Sequence, residues 1–135
     1  LLKGGGTVFG PKPRNYTVNL TKKAKRLARK SALTLKAKDE AIKVVEDFSM
    51  DAPKTKDFIA ILAALELDTK KVLILLGETD RNVYLSSRNI PNVTVVRSHE
   101  ANTYDILNAE YLLFTDSAVS ALQDSIEGKI EEEAA

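Results

Sequence analysis

Four short apolar runs recur along the chain after residue 40. They lie at residues 42–48, 72–76, 93–96 and 111–114, and we predict a strand at each. The second and fourth runs are continuously apolar, which is typical of strands that are covered on both faces in a parallel sheet. The pattern therefore favours a buried sheet over one that is exposed to water on one side.

Segments of helical length separate these strands. We predict helices at residues 55–67, 80–88, 102–108 and 117–126. Strands that alternate with helices form right-handed βαβ crossovers, which place helices on both faces of one sheet. The fold class predicted is α/β: a three-layer, Rossmann-like sandwich with a mostly parallel sheet of about four strands, preceded by an extended basic arm.

A further helix is predicted at residues 22–36, which contain no Gly or Pro and follow Thr21, an acceptable N-cap. On a helical projection one side is cationic and contains Lys22, Lys25, Arg26, Arg29 and Lys30, with Lys23 at its edge. The opposite stripe is predicted to face the core and contains Ala24, Leu27, Ala28, Ser31 and Leu35. Leu33 lies within the cationic side and does not fit this division.

The chain divides into three segments around this helix. Residues 1–20 contain three consecutive glycines and two prolines and are predicted to form an extended arm. Phe9 and Tyr16 lie among the cations of this arm, a mixture that suits contact with phosphates and bases, although both rings could instead dock onto their own domain. Residues 21–127 are predicted to form an α/β domain that opens with the basic helix, and residues 128–135 an acidic tail.

Length and composition exclude several classes of protein. A chain of 135 residues fits one domain, and the absence of Cys excludes a disulfide scaffold, a thiol nucleophile and a Cys-based metal site. No apolar run approaches the roughly 18 residues that span a bilayer, and the first residues contain no apolar signal region. We therefore expect an intracellular protein with no membrane partner.

The net charge of +1 is the sum of two opposed parts. Residues 1–38 contain eleven of the twenty Lys and Arg residues and no Asp or Glu, so this segment carries +11 and the remainder −10. A basic segment of this kind most often binds a polyanion: nucleic acid, acidic lipid or an acidic protein. The alternative is a solvated helix whose charges pair with the acidic part of the same chain.

The sequence gives little support for a catalytic or phosphate-binding motif. Gly5 and Gly10 have the spacing of a phosphate-binding loop, but Pro11 occupies the lysine position and no strand precedes them. Polar residues that could form a magnesium or phosphoryl-transfer site follow the strands: Asp47, Asp51, Gly77, Glu78, Asp80, Arg97, Ser98, His99, Thr115 and Asp116. Three of them, Asp80, Ser98 and Asp116, are equally well explained as helix N-caps. We assign no catalytic residue, metal ligand or cofactor.

Several ordered strings carry a resemblance to a known family. They are Gly4-Gly5-Gly6, Phe9-Gly10-Pro11-Lys12-Pro13-Arg14, Lys22-Lys23, Ser31-Ala32-Leu33, Ser87-Arg88-Asn89-Ile90-Pro91-Asn92-Val93 and Asn102-Thr103-Tyr104-Asp105-Ile106-Leu107. Together they resemble the L-four family of large-subunit ribosomal proteins in its bacterial or organellar form. The resemblance runs along nearly the whole chain and corresponds to about the C-terminal two thirds of a family member. The family's opening strand, helix and outgoing loop arm have no counterpart here, and a role at the peptide exit tunnel stays open for this chain.

The resemblance implies a non-enzymatic α/β protein that binds large-subunit rRNA and supports subunit assembly and translation. Its expected partners are large-subunit rRNA and neighbouring ribosomal proteins, without a membrane or a small-molecule substrate. The location expected is the cytoplasmic ribosome, with an organellar ribosome left open. The residues expected to bind RNA are Lys3, Gly4, Gly5, Gly6, Phe9, Lys12, Arg14, Lys22, Lys23, Lys25, Arg26, Arg29, Lys30 and Arg88.

Two other functions stay open at this point. One is a small α/β enzyme or phospho-receiver with a site at the carboxyl ends of the strands, which stoichiometric binding of magnesium or nucleotide would reveal. The other is a protein-interaction module whose basic helix docks an acidic partner. Competition between RNA and that partner would separate the second function from rRNA binding.

Overall fold

The structure is a computed structural model and describes residues 3–127. Within that range, helices and strands alternate strictly. The elements are α1 (Lys22–Lys38), β1 (Ile42–Val45), α2 (Thr55–Ala64), β2 (Val72–Leu76), α3 (Arg81–Ser87), β3 (Val93–Arg97), α4 (Thr103–Asn108), β4 (Tyr111–Thr115) and α5 (Asp116–Glu127). The acidic tail predicted at residues 128–135 lies outside the described residues.

One parallel sheet contains β1 to β4 in the order β1-β4-β2-β3. The register places Ile74 of β2 between Leu113 of β4 and Val95 of β3. All five residues of β2 are buried, as its continuously apolar sequence predicts for a central strand. The predicted α/β class with a four-stranded parallel sheet is confirmed.

Helices cover both faces of the sheet and create two apolar cores. Leu73 and Leu75 of β2 point to one face, where they pack with residues of α1, α4 and α5. Ile74 and Leu76 point to the other face and pack with Phe58 and other residues of α2 and α3. The side-chain alternation of a strand thus divides β2 between the two cores and produces three layers.

Helix α2 ends three residues earlier than predicted because the chain turns into a left-handed conformation at Glu66, where φ is 59°. The backbone N–H of Leu67 donates to the Leu62 carbonyl at 2.9 Å, and the N–H of Glu66 donates to the Ala63 carbonyl at 3.0 Å. This pair of bonds is a Schellman motif, and it buries Leu67 directly after the helix.

Strand β1 is also shorter than predicted. Its last residue, Val45, lies opposite Thr115, the last residue of β4, and the chain enters α5 directly after Thr115. With no partner strand beyond this point, β1 ends before Phe48. The half-buried Phe48 ring packs instead against the core beneath α2 and α3.

One of the three predicted N-caps is confirmed and two are wrong. The carboxylate of Asp80 accepts hydrogen bonds from the first turn of α3. Ser98 is buried at the end of β3, and the cap of α4 is Asn102, whose side chain accepts from the Asp105 backbone at 2.7 Å. Asp116 is the first residue of α5 rather than its cap. The sequence alone did not show which polar residue after each strand is the N-cap of the following helix.

Candidate nucleic-acid interface

The arm preceding α1 is exposed along almost its whole described length. Residues 3–21 contain no helix or strand, and every side chain from 3 to 25 is exposed except at Gly10, which is half-buried. Left-handed conformations at Gly4 and Gly5, with φ of 84° and 80°, shape its first turn. Pro11 and Pro13 fix the backbone beyond Gly10 and keep the segment from continuing as regular structure.

Two aromatic rings of the arm project into solvent. Phe9 is fully exposed and Tyr16 is 82% exposed, so neither ring docks onto the domain as the alternative interpretation required. The Cζ atom of Arg14 lies 4.6 Å from the centroid of the Tyr16 ring, in a cation–π contact. The arm therefore presents cations and aromatic rings together on an accessible surface.

The side of α1 that faces the domain is not the side predicted. Ala32 is buried and Leu33 is half-buried against the core, whereas Leu27 is 70% exposed and Leu35 is 48% exposed. The predicted core stripe of Ala24, Leu27, Ala28, Ser31 and Leu35 is wrong, because every member of it is exposed. Leu33, which did not fit the predicted division, marks the correct side.

Hydrogen bonds from cations explain this orientation. The Arg29 guanidinium donates to the Ser125 Oγ atom of α5 at 3.2 Å and to the His99 carbonyl at 3.1 Å. The Lys36 Nζ atom donates to the carbonyl of Ala109 at 2.5 Å. These half-buried cations bind oxygen atoms beside α1, so part of the cationic side is used to attach the helix to its own domain.

The predicted cationic residues of α1 consequently fall into two groups. Lys22, Lys23, Lys25 and Lys30 are exposed, and they continue the charged surface of the arm, which carries Lys3, Lys12 and Arg14. Arg26 and Arg29 are half-buried on the side that packs against the domain. Lys38, which was not among the predicted site residues, is exposed at the end of α1.

Arg88 lies apart from the other predicted site residues. It caps the C-terminus of α3, which covers the opposite face of the sheet from α1. Its side chain is exposed, and a cation at a helix C-terminus is favourable for the helix itself. The arm and the first half of α1 thus form one continuous exposed segment, and Arg88 lies on another part of the domain.

The carboxyl ends of the strands form a cleft of about 490 Å³, and two of its acidic residues, Asp47 and Asp80, have structural roles. The Asp47 carboxylate accepts from the Ser117 hydroxyl at 2.7 Å and from the Ser117 backbone N–H at 3.2 Å, which caps α5. The Ser117 hydroxyl hydrogen bond holds the pKa of the Asp47 carboxyl below its ordinary value. Asp80 caps α3 in the same cleft.

Two features of residues 3–127 bear on the remaining alternatives, because these residues are the part of the chain that the structure describes. They contain no group of His, Cys, Asp or Glu side chains arranged to hold a metal ion. No helix in this part of the chain has the length and apolar character needed to cross a membrane.

Comparison with known proteins identifies the family. The profile of the ribosomal protein L4/L1 family matches residues 1–125. The chain is 52% identical over 126 residues to the large ribosomal subunit protein uL4 of Christiangramia forsetii, covering 93% of this chain and 61% of the relative. The proteins of the same name from Flavobacterium johnsoniae and Parabacteroides distasonis are 52% and 53% identical, each with 93% of this chain and 60% of the relative covered.

The chain thus spans about three fifths of the length of these curated relatives. The resemblance identified from the sequence motifs is confirmed, and the matched portion is C-terminal, as those motifs implied. Since the family profile covers residues 1–125 and about half of the aligned positions are identical, this chain belongs to the ribosomal protein L4/L1 family.

Proposed function

We propose that this chain is a structural constituent of the large ribosomal subunit that binds large-subunit rRNA, and through it supports subunit assembly and translation. The binding surface consists of the arm and the exposed lysines of α1. The α/β domain acts as a rigid, non-enzymatic support for that surface. The relatives, which are named as large-subunit proteins, support this proposal. We expect the chain to act on the ribosome in the cytoplasm.

The observation that carries the proposal is one uninterrupted exposed basic segment. Between residues 3 and 25 the exposed cations are Lys3, Lys12, Arg14, Lys22, Lys23 and Lys25, and this segment contains no Asp or Glu. Cations that neutralise phosphates release condensed counterions from the nucleic acid, which is the main source of affinity in such complexes. Six exposed cations in a segment whose own sequence contains no Asp or Glu are suited to that role.

The placement of lysines on α1 adds a second argument. Lys22, Lys23 and Lys25 lie in the first turn, which contains no acidic residue. Positive charges at a helix N-terminus oppose the helix dipole and lower helix stability by about 0.3–1 kcal/mol each. Because this arrangement is unfavourable for the isolated helix, it is better explained by an anionic partner that binds both the lysines and the exposed backbone N–H groups.

Attachment of α1 to the domain gives the exposed lysines fixed positions. Arg29 and Lys36 bind oxygen atoms of the domain from the inner side of the helix. Lys23 and Lys30 project from the outer side, two turns apart. A fixed spacing of cations can distinguish a particular arrangement of phosphates, which supports recognition of folded rRNA over RNA in general.

Neighbouring ribosomal proteins are the second class of partner in this proposal. Exposed apolar side chains on an otherwise polar helix favour contact with another macromolecule. Leu27 and Leu35 form such a strip on the outer side of α1. This strip lies beside Lys30, so protein and RNA contacts would adjoin each other.

Charge reversal at matched positions tests rRNA binding. We expect the triple variant Lys12→Glu, Lys23→Glu and Lys25→Glu to reduce affinity for a large-subunit rRNA fragment at least tenfold. The control is Lys54→Glu, Lys56→Glu and Lys70→Glu, which makes the same charge change at exposed positions elsewhere in the domain. The control should stay within about threefold of the parent chain, because its lysines lie outside the proposed surface. Equal losses in both variants would contradict a defined binding surface.

A further inference from the structure

The backbone at Phe9 is unusual for an aromatic residue. Its φ angle is 55°, in the left-handed region that glycine adopts without penalty, and its ring is fully exposed. A bulky side chain in this conformation is disfavoured by roughly 1–2 kcal/mol. Since burial of the ring returns nothing to the fold, stability of this chain gives no reason for Phe at position 9. A ligand that contacts the ring would give one.

A second exposed ring lies further along the arm, in a different arrangement. Arg14 and Tyr16 are two residues apart in an extended segment, which places their side chains on the same side. The Arg14 Cζ atom is 4.6 Å from the Tyr16 ring centroid, and both residues are exposed. The result is a stacked pair of planar groups with accessible faces.

The residues between these two sites suit the backbone of a nucleic acid. Lys12 supplies a positive charge midway between Phe9 and Arg14. Pro11 and Pro13 limit the conformations of this stretch, which lowers the entropy lost when a ligand orders it. Positions for bases therefore alternate with a position for phosphate along a partly preorganised segment.

We propose that the Phe9 ring and the Arg14–Tyr16 pair are two stacking sites for unpaired nucleobases of RNA. Unpaired bases stack on aromatic rings and on Arg guanidinium planes, whereas bases within a duplex have no free faces to offer. The arm then selects looped or splayed nucleotides, and the lysines of α1 bind phosphates of the adjoining structure. This inference rests on the proposed rRNA-binding function and specifies which RNA element the arm takes.

Two RNA probes of matched length test the proposal: a 12-nucleotide single-stranded oligo(A) and a fully paired 12-base-pair duplex. Phe9→Ala in the complete chain should weaken binding to oligo(A) about tenfold and binding to the duplex less than twofold. Arg14→Lys keeps the positive charge and removes the planar group, so it should also weaken oligo(A) selectively. Tyr16→Phe keeps the ring and should bind as the parent chain does.

The variant Phe9→Trp provides a direct signal. The chain contains no Trp, so the fluorescence of the new indole reports on position 9 alone. Oligo(A) should quench this fluorescence while the affinity stays within about twofold of the parent. Unchanged fluorescence at saturating oligo(A), or equal losses of single-strand and duplex binding in Phe9→Ala, would overturn the stacking sites.

The same measurements separate this inference from the function on which it rests. If the parent chain binds large-subunit rRNA and Phe9→Ala has no effect on either probe, the stacking sites are wrong and the rRNA-binding function stands. If the parent chain binds neither rRNA nor oligo(A), the rRNA-binding function itself fails. Retained RNA binding in Phe9→Ala together with lost binding of a ribosomal protein would show that the ring serves a protein contact instead.

Discussion

Replacement of Arg29 by Ala removes two hydrogen bonds that attach α1 to the rest of the domain. The guanidinium donates to Ser125 Oγ and to the His99 carbonyl, at 3.2 and 3.1 Å. Hydrogen bonds from charged donors contribute about 1.5–3 kcal/mol each, and half-burial of Arg29 places these two at or below the lower end. We therefore expect Arg29→Ala to lower the free energy of unfolding by about 2 kcal/mol.

Urea denaturation followed by circular dichroism measures this change. With a typical m value of about 1.5 kcal/mol/M, a loss of about 2 kcal/mol lowers the urea midpoint by roughly 1.3 M at unchanged m. Arg29→Lys keeps the charge but lacks the planar fork that reaches both acceptors, so it should show an intermediate midpoint. Lys30→Ala alters the exposed neighbouring residue and should change the free energy of unfolding by less than about 0.5 kcal/mol.

The result bears on the function of the cationic side of α1. If Arg29→Ala unfolds at the same urea concentration as the parent chain, the guanidinium does not hold α1 in place. An equal midpoint shift in Lys30→Ala would also refute the reasoning, since it would show that any loss of positive charge on α1 destabilises the domain.

Three further changes test other parts of the structure by the same denaturation assay. Gly77→Ala should destabilise the domain by about 1–3 kcal/mol, because its Cβ would clash with the Ser117 Oγ atom and lie 3.0 Å from the Ser117 backbone carbon. Glu66→Gly should stabilise it by about 0.5–1 kcal/mol, because Gly removes the left-handed strain at φ 59° but increases the freedom of the unfolded chain. Asp47→Asn should lower stability at neutral pH, and this variant should lose less stability than the parent chain as the pH falls. The folded-state pKa of Asp47 lies below the ordinary value of 3.8, so its hydrogen bonds add stability above that pH and lose it as the pH falls through the folded-state pKa.

Each of these expectations has a clear contrary result. Unchanged stability in Gly77→Ala would show that the Ser117 side chain and backbone move aside without penalty. A destabilised Glu66→Gly variant would mean that the Glu66 side chain contributes more than its backbone strain removes. Identical acid unfolding of the parent and Asp47→Asn would show that the contact with Ser117 does not depend on the charge of Asp47.

The sheet was predictable because its signal is local. The continuously apolar sequence of β2 indicates a strand that is covered on both faces, and alternation with helices then leaves few arrangements besides a parallel three-layer sandwich. The same reasoning located α2, in which Phe58 and Leu62 are buried. Local patterning suffices where an element is apolar throughout, as β2 is, or is much more apolar on one face than on the other.

The orientation of α1 was not predictable because the helix has two candidate core faces. Leu27 and Leu35 form the larger apolar stripe, yet the domain packs against Ala32 and Leu33. What decides between them is a set of long-range bonds, such as that from Arg29 to His99, seventy residues away. A helical projection contains no information about acceptors on distant elements.

The candidate RNA interface shows the same division. Its cations were identifiable from the charge pattern and its extended arm from the Gly and Pro content, whereas the exposure of the two rings was left open. Which cations face solvent was not identifiable, since Arg29 and Lys25 both lie on the cationic side of the helical projection and only the packing shows which one is half-buried. Likewise, the sequence did not show that Asp47 binds Ser117, because Ser117 lies seventy residues later in the chain.

Binding of the complete chain to large-subunit rRNA fragments across a salt series, with unrelated structured RNA as competitor, tests the central claim most directly. The six exposed cations between residues 3 and 25, together with Lys30, predict a plot of log K against log salt whose slope has a magnitude of about 5 to 6. The account also predicts saturable binding that survives the competitor. A flat salt dependence, or equal displacement by any structured RNA, would contradict a specific rRNA-binding surface on the arm and α1.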